Sequence, residues 1–254
     1  MNFDQRMALF NQEITNAKKI VFFTGAGIST GSGIPDFRSP DGLYSKPNDE
    51  KFDPEYLLSA DCLEKHPEKF FDYLRKNMDF HDAEPNVAHL KIAELQLTRE
   101  VSVATQNIDG LHERAKTSKV YTIHGTMERF YCDHCFHECP SREVMDGKYD
   151  NTVGVPVCPI CGEGTIRPDV VLYGEGLKYP DWENASADVC NADLIVVVGS
   201  SLTVYPAAYL PTVGASWGKK IVIVNRDSTQ LDGIATIVFH EDISTVFENI
   251  VIPD

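Results

Sequence analysis

The 254-residue chain carries 38 acidic against 23 basic side chains, a formal net charge of −15. Most of such a surface repels polyanions, so nucleic acid is a poor direct ligand, whereas basic, lysine-bearing peptides are favoured on encounter. With 43% hydrophobic and 24% charged residues the composition is that of a soluble globular protein, and the longest apolar runs, such as 194–198, are too short to span a bilayer.

Phe3, Met7, Phe10 and Ile14 recur at helical spacing, so residues 3–18 read as an amphipathic helix. Their mixture of charged and apolar positions is unlike a secretory signal, and a cytoplasmic location is the default expectation. Residues 19–24 form a short apolar run that enters Gly25-Ala26-Gly27, the pattern of a buried strand meeting a tight turn. Residues 31–48, rich in Gly, Pro, Ser and Asp, read as a long loop, and loops of that length are usually functional. Segments 54–58, 67–78 and 85–95 read as helices, each with a proline near its start. Residues 101–105 alternate as a strand does, 108–116 suit a short helix, and 120–123 another strand. Residues 127–167 hold turn residues and few apolar runs, and read as a small metal-organised insert. Beyond it, 169–173 reads as a strand and 182–190 as a helix. Residues 193–198 form a strongly buried strand ending in Gly199-Ser200-Ser201, 220–225 another, 237–240 a last short one, and 242–250 a closing helix.

Apolar strands alternating with helices imply a Rossmann-like, doubly wound parallel sheet, an α/β fold with ligands at the carboxyl ends of its strands. The expected organisation is one main domain, residues 1–126 and 168–254, carrying a helical insertion at about 40–80, and a small zinc-binding domain at 127–167.

Seven cysteines include two matched pairs, Cys132 with Cys135 and Cys158 with Cys161. Cys62, Cys139 and Cys190 are left over, and an odd count argues against a disulfide framework. Two CxxC knuckles supply four soft thiolates in a tetrahedron, a set suited to one structural zinc with no open coordination position. The insert has too little core of its own, so its folding should depend on the metal. His134, His137 and Cys139 are read as near these pairs by chance.

The glycine turn from Gly25 to Thr30 follows a strand, as a dinucleotide-binding turn does. There glycine admits a pyrophosphate, and the amides of the next helix point toward it. The match is partial: Thr30 stands where the fingerprint has its third glycine, and no acidic residue ends a second strand about 20 residues on. A plain structural turn reads equally well. Gly33-Ile34-Pro35-Asp36-Phe37-Arg38 then places an acid, an aromatic and a base in succession. Arg38 suits a phosphate clamp and Phe37 a cover for a bound ring, against a surface loop with chance charges.

Together these two segments resemble the signature of the sirtuin family. Further segments agree, in the family's order: residues 105–112 with its nicotinamide side, 123–125 with its catalytic histidine, 167–175 with its substrate-lysine segment. Residues 199–206 and 225–227 are similar to its ribose and adenine segments. The resemblance runs from about residue 17 to the C-terminus. It implies an NAD-dependent protein-lysine deacylase. In that reaction the acyl oxygen of an acyl-lysine displaces nicotinamide from the ribose, and a base then activates a ribose hydroxyl. The products are lysine, nicotinamide and O-acyl-ADP-ribose.

His124 is the base this resemblance implies, a group neutral near pH 7 without extreme tuning. Asn107 and Asp109 would bond the nicotinamide carboxamide, with a helix cap as a second role for Asp109. Gln106 would hold ribose hydroxyls, and His112 is structural. Gly25, Ala26, Gly27, Asp36, Phe37, Arg38, Gly199, Ser200, Ser201, Asn225, Arg226 and the main chain near Asp242 complete the NAD contacts. Val170 and Val171 would line a narrow apolar tunnel for the lysine stem. Tyr173 stands where the family usually has phenylalanine, adding a hydroxyl to that tunnel. Members that prefer acidic acyl groups carry a Tyr-x-x-Arg pair on a helix matching residues 68–76. Here Leu74 aligns with the tyrosine, and Tyr73 is followed by Lys76, which lacks the bidentate fork for a carboxylate. A neutral acyl group, acetyl first, is expected. The implied partners are NAD, one zinc ion and an acyl-lysine protein or peptide, with no membrane; the oligomeric state is open and a monomer plausible. An ADP-ribosyltransferase or NAD glycohydrolase using the same pocket, and a non-catalytic sensor, are the competing readings.

Overall fold

The computed structural model describes residues 1–37, 39–40, 42–45 and 52–253. The chain opens with α1 (Phe3–Asn16), started by a capping box in which Asn2 and Gln5 satisfy each other's backbone amides. Then comes β1 (Lys19–Thr24). After it the glycine turn continues as a 3₁₀ helix, Ala26–Ser32. The helical segment comprises α2 (Pro54–Leu57), α3 (Ala60–Lys65) and α4 (Pro67–Asn77). Next are α5 (Val87–Leu95), β2 (Glu100–Thr105), α6 (Leu111–Arg114) and β3 (Val120–Thr122). The cysteine-bearing region holds β4 (Gly125–Cys132), β5 (Glu138–Pro140), α7 (Ser141–Met145) and β6 (Ile166–Val170). The remainder is α8 (Tyr179–Asn191), β7 (Leu194–Val198), α9 (Tyr209–Ser216), β8 (Lys220–Val224), β9 (Ile237–Phe239) and α10 (Ile243–Glu248).

Six strands form one parallel sheet in the order β3-β2-β1-β7-β8-β9. Alternate side chains of each strand enter opposite cores. Ile20, Phe22, Val101, Val103 and Val196 pack with α1, α5 and α10 on one face. Val21, Phe23, Ala104, Ile195 and Val197 pack with α8 and α9 on the other. Burial on both faces explains why these strands read as continuous apolar runs. The strand order reverses between β1 and β7, which opens a crevice at their carboxyl ends, where Gly25 and Gly199 lie.

A three-stranded antiparallel sheet, β5-β4-β6, forms beside the large one. Its core is shared: Leu57, Phe70, Phe71 and Leu74 from the helical segment pack with Phe130, Cys132, Cys139, Cys158 and Ile166.

Two expectations need correction. The strand expected at 169–173 is Ile166–Val170, and it pairs with β4 in the small sheet rather than joining the parallel one. Val171 and Tyr173 peel away, their amides donating to the carbonyls of His124 at 2.8 Å and Leu58 at 3.1 Å. The helix expected from Pro85 starts at Val87, because Asn86 caps it. Helix α9 was not anticipated at all.

Candidate active site at the switch point

A cleft of about 980 Å³ opens at the crevice. Gly25, Ala26, Gly27, Asp36, Phe37, Gln106, Asn107, Asp109, His124, Val170, Val171, Tyr173, Gly199, Ser200, Ser201, Asn225, Arg226 and Asp242 all line it. Arg38 lies outside the described residues. Separate segments of the sequence thus meet around one space, each leaving the end of a strand.

The floor is built by two turns that touch. Gly27 donates its amide to the carbonyl of Gly199 at 2.9 Å. Gly199 has φ +61°, and a Cβ there would lie 2.3 Å from the amide nitrogen of Ile28. Only glycine satisfies both the conformation and the approach. The glycines thus let the two turns pack backbone against backbone at the floor of the cleft.

Beside the floor is a polar cluster. The carboxamide of Asn107 donates to Gly25 O at 3.1 Å and to Ser29 Oγ at 3.0 Å. Ser29 Oγ in turn donates to Asp109 Oδ2 at 2.6 Å, while Asp109 Oδ1 accepts the Leu111 amide at 3.0 Å. Asp109 is thus a cleft residue that also accepts the first amide of α6, whose N-cap is Gly110 rather than the expected Asp109. Burial raises its carboxyl above the usual range, and the Ser29 and Leu111 hydrogen bonds oppose that only in part. Gln106 donates to Ser200 Oγ at 2.9 Å, which ties the end of β2 to the turn after β7.

His124 follows β3. Its Nδ1 lies 3.0 Å from the carbonyl of Gln106. A carbonyl only accepts, so Nδ1 carries the ring proton and Nε2 keeps its lone pair. Burial lowers the imidazole's pKa, partly countered by this hydrogen bond, which favours the neutral ring.

Several lining residues escaped the sequence reading. Ser29 links Asn107 to Asp109, and its place within the glycine turn was the available signal. Leu58, Met78 and Phe80 join Leu74 in the apolar part of the wall, and Glu175, Asp227 and Glu241 add acidic groups. The Tyr173 hydroxyl lies 2.8 Å from that of Tyr44, so its polarity is matched across the cleft wall. Tyr73 turns into the helical core and Leu74 toward the cleft. Asn225 donates to Asp227 O at 2.7 Å, Arg226 pairs with Asp227 at 3.3 Å, and Asp242 caps α10 by accepting the Thr245 amide.

Away from the cleft, Cys132, Cys135, Cys158 and Cys161 bring their sulfurs within 4.8 Å of one another. Cys132 and Cys161 stand 3.6 Å apart, Cys135 and Cys158 3.7 Å. Four sulfurs bound about 2.3 Å from a zinc ion would be about 3.8 Å apart. Amides of His134, Cys135, Ile160 and Gly164 point at three of the sulfurs, as suits thiolates. The donor set and its spacing fit zinc.

These features define a Rossmann-like α/β protein with an enzyme-type cleft at its switch point and an attached four-cysteine module. The chain belongs to the Sir2 family, whose model matches residues 25–206. It is 43% identical over 239 residues to a protein of Staphylococcus epidermidis (strain ATCC 12228 / FDA PCI 1200) named NAD-dependent protein deacetylase, covering 94% of each chain. A Sir2 histidine variant solved with deacetylated p53 peptide and 3′-O-acetyl ADP ribose superposes with a TM-score of 0.87 at 36% identity, covering 96% of both chains. Sir2 with a p53 peptide and NAD+ superposes with a TM-score of 0.84 at 37% identity over 95% of both.

Proposed function

We propose that this protein is an NAD-dependent protein-lysine deacylase, acting first on acetyl-lysine, with His124 as general base. The observation that carries the reading is the Nδ1 contact to the Gln106 carbonyl, which leaves an unprotonated Nε2 on a cleft-lining ring. The names of the relatives support the same activity and its dependence on NAD.

When bound, NAD supplies an electrophilic ribose carbon and nicotinamide as leaving group. The chain's own residues bind, orient and move a proton. Gly25, Ala26, Gly27, Gly199, Ser200 and Ser201 hold the phosphates and ribose. Asn225, Arg226 and the main chain near Asp242 border the adenine, and Asp36, Phe37 and Arg38 cover the cofactor. Asn107 and Asp109 orient the nicotinamide amide, and Ser29 fixes both of their side chains. Gln106 holds the ribose hydroxyls close to His124, whose Nε2 takes the hydroxyl proton. A base that is neutral at pH 7 needs no prior deprotonation.

Val170 and Val171 line the lysine stem, and Tyr173 borders it. Leu74, Met78 and Phe80 make the adjoining wall apolar, which favours a neutral acyl group over a carboxylate-bearing one. Residues 1–126 and 168–254 serve as the NAD-binding domain. Residues 127–167 serve as a zinc-binding domain in which Cys132, Cys135, Cys158 and Cys161 hold one structural ion. Thiolates of that kind need a reducing compartment, consistent with the cytoplasm. Among the described residues no helix is long and apolar enough to cross a membrane.

The test is mass spectrometry of an acetyl-lysine peptide incubated with and without NAD. The expected result is loss of the acetyl group only with NAD, together with O-acetyl-ADP-ribose. ADP-ribosylated peptide or free ADP-ribose alone would refute the reading. His124→Ala should cut turnover by about 10²-fold or more while NAD still binds.

A further inference from the structure

Strands β4 and β6 pair, but not continuously. Gly125 faces Val170 and Thr126 faces Asp169; the next pairs are Phe130 with Pro168 and Tyr131 with Arg167. Met127, Glu128 and Arg129 therefore bulge out of the ladder. A bulge forfeits ladder bonds and re-aims the side chains beside it, so its shape needs another anchor.

That anchor is Asp169. Arg129 folds back so that Nε donates to Asp169 Oδ2 at 2.8 Å, with Nη2 on the same oxygen. Lys178 donates to Oδ1 from the other side. The Asp169 side chain is 5% exposed, against 53% for Arg129 and 31% for Lys178. A buried carboxylate is thus held between two cations whose stems reach solvent, a geometry that fixes both oxygens.

Three cleft segments converge on this point. The bulge residue Met127 donates its amide to the carbonyl of Ile108 at 2.8 Å, between Asn107 and Asp109. Gly125, directly after His124, has φ +81°, and a Cβ there would sit 2.0 Å from the carbonyl oxygen of Asp169. Val171, two residues past Asp169, donates to the carbonyl of His124 at 2.8 Å. Asp169 itself lies behind the wall: Pro168 and Val170 line the cleft and it does not.

We propose that Asp169 is a positioning residue for the acyl-lysine segment. By pinning the bulge through Arg129 and the following loop through Lys178, it sets the register between His124 and Val170–Val171. The proposal rests on the deacylase reading for its kinetic consequence, not for its structural one. The glycine turns of the NAD cradle stand on the parallel sheet, which Asp169 does not join, so the effect on the peptide side exceeds that on NAD, which it reaches only through the Met127–Ile108 contact.

The test uses the full-length, zinc-loaded protein and two variants. Asp169→Asn keeps the shape and removes the charge. Lys178→Met removes one partner at a half-exposed position, and it carries the test if the first variant does not fold. Amide exchange at Val171 and Met127, read by NMR without substrate, should accelerate by about tenfold or more in each variant. The acetyl-peptide KM should rise about tenfold in Asp169→Asn and severalfold in Lys178→Met, with the NAD KM within about twofold. Unchanged exchange at both amides overturns the proposal. So does an NAD KM that rises by the same factor as the peptide KM, since that marks general loosening. A wild-type protein inert toward acetyl-lysine would remove the deacylase reading, and the exchange measurement would still judge the clamp.

Discussion

Two histidines buried beside the cleft make stability fall in mild acid. His89 is 0% and His112 1% exposed, with ring centroids 4.8 Å apart. His112 Nε2 meets Thr24 Oγ1 at 3.1 Å, and His89 Nδ1 accepts the Asn86 amide at 3.4 Å. The remaining nitrogens, His89 Nε2 and His112 Nδ1, have no partner among the described residues. Burial pulls the His89 pKa down to about 4 and that of His112 well below the usual histidine range. The His89 ring is therefore neutral in the folded chain at pH 5.5, and burial favours the neutral form of His112 as well, whereas in the unfolded chain both protonate below about 6.5. The unfolded state binds more protons in this window, so stability is full above pH 6.5 and declines as pH falls toward 4. From the His89 values, the loss between pH 7.5 and 5.5 is about 1.4 kcal/mol. His112, held well below the usual range by its burial, shifts stability in the same direction. Urea unfolding of zinc-saturated protein at the two pH values measures it. In His89→Leu the drop should shrink by about 1.4 kcal/mol, whatever the variant does to stability at pH 7.5. Groups remote from these two rings contribute alike in both proteins, so the difference reports the removal of His89. A drop in the variant within about 0.3 kcal/mol of wild type would refute the reasoning.

Stripping the metal with a chelator, followed by metal analysis, should lower the melting midpoint by about 10 °C or more and abolish deacylation. The reason is that Cys132 and Cys158 share a core with Phe70 and the cleft residue Leu74. Full turnover at zero metal content would contradict it. Gly199→Ala should raise the NAD KM by about tenfold or more, because its φ of +61° and its 2.3 Å approach to Ile28 leave no room for a Cβ. An unchanged NAD KM would exclude the glycine cradle from cofactor binding.

The strands of the large sheet were legible because burial on both faces demands unbroken apolar runs: all five residues of Leu194–Val198 are buried. The segments that follow such strands must fall at the carboxyl edge, so the apolar runs alone bring Gly25, Asn107, Gly199 and Asn225 near one another. Helix α9 was not legible, since it contains Pro211 and Gly214, poor helix formers. Packing accounts for the glycine: a Cβ at Gly214 would lie 2.1 Å from Ile195 Cδ1, on a strand the helix covers. Strand β6 was misplaced because Arg167-Pro168 reads as a loop, yet β6 is an edge strand, where a proline costs no ladder bond. The same distinction divides the site. Which residues stand at strand ends is local information, carried by apolar runs and glycines. That Ser29 joins Asn107 to Asp109 and that Arg129 returns to Asp169 depend on where distant segments cross. Such crossings are decided by a bulge and a shared core rather than by any short motif.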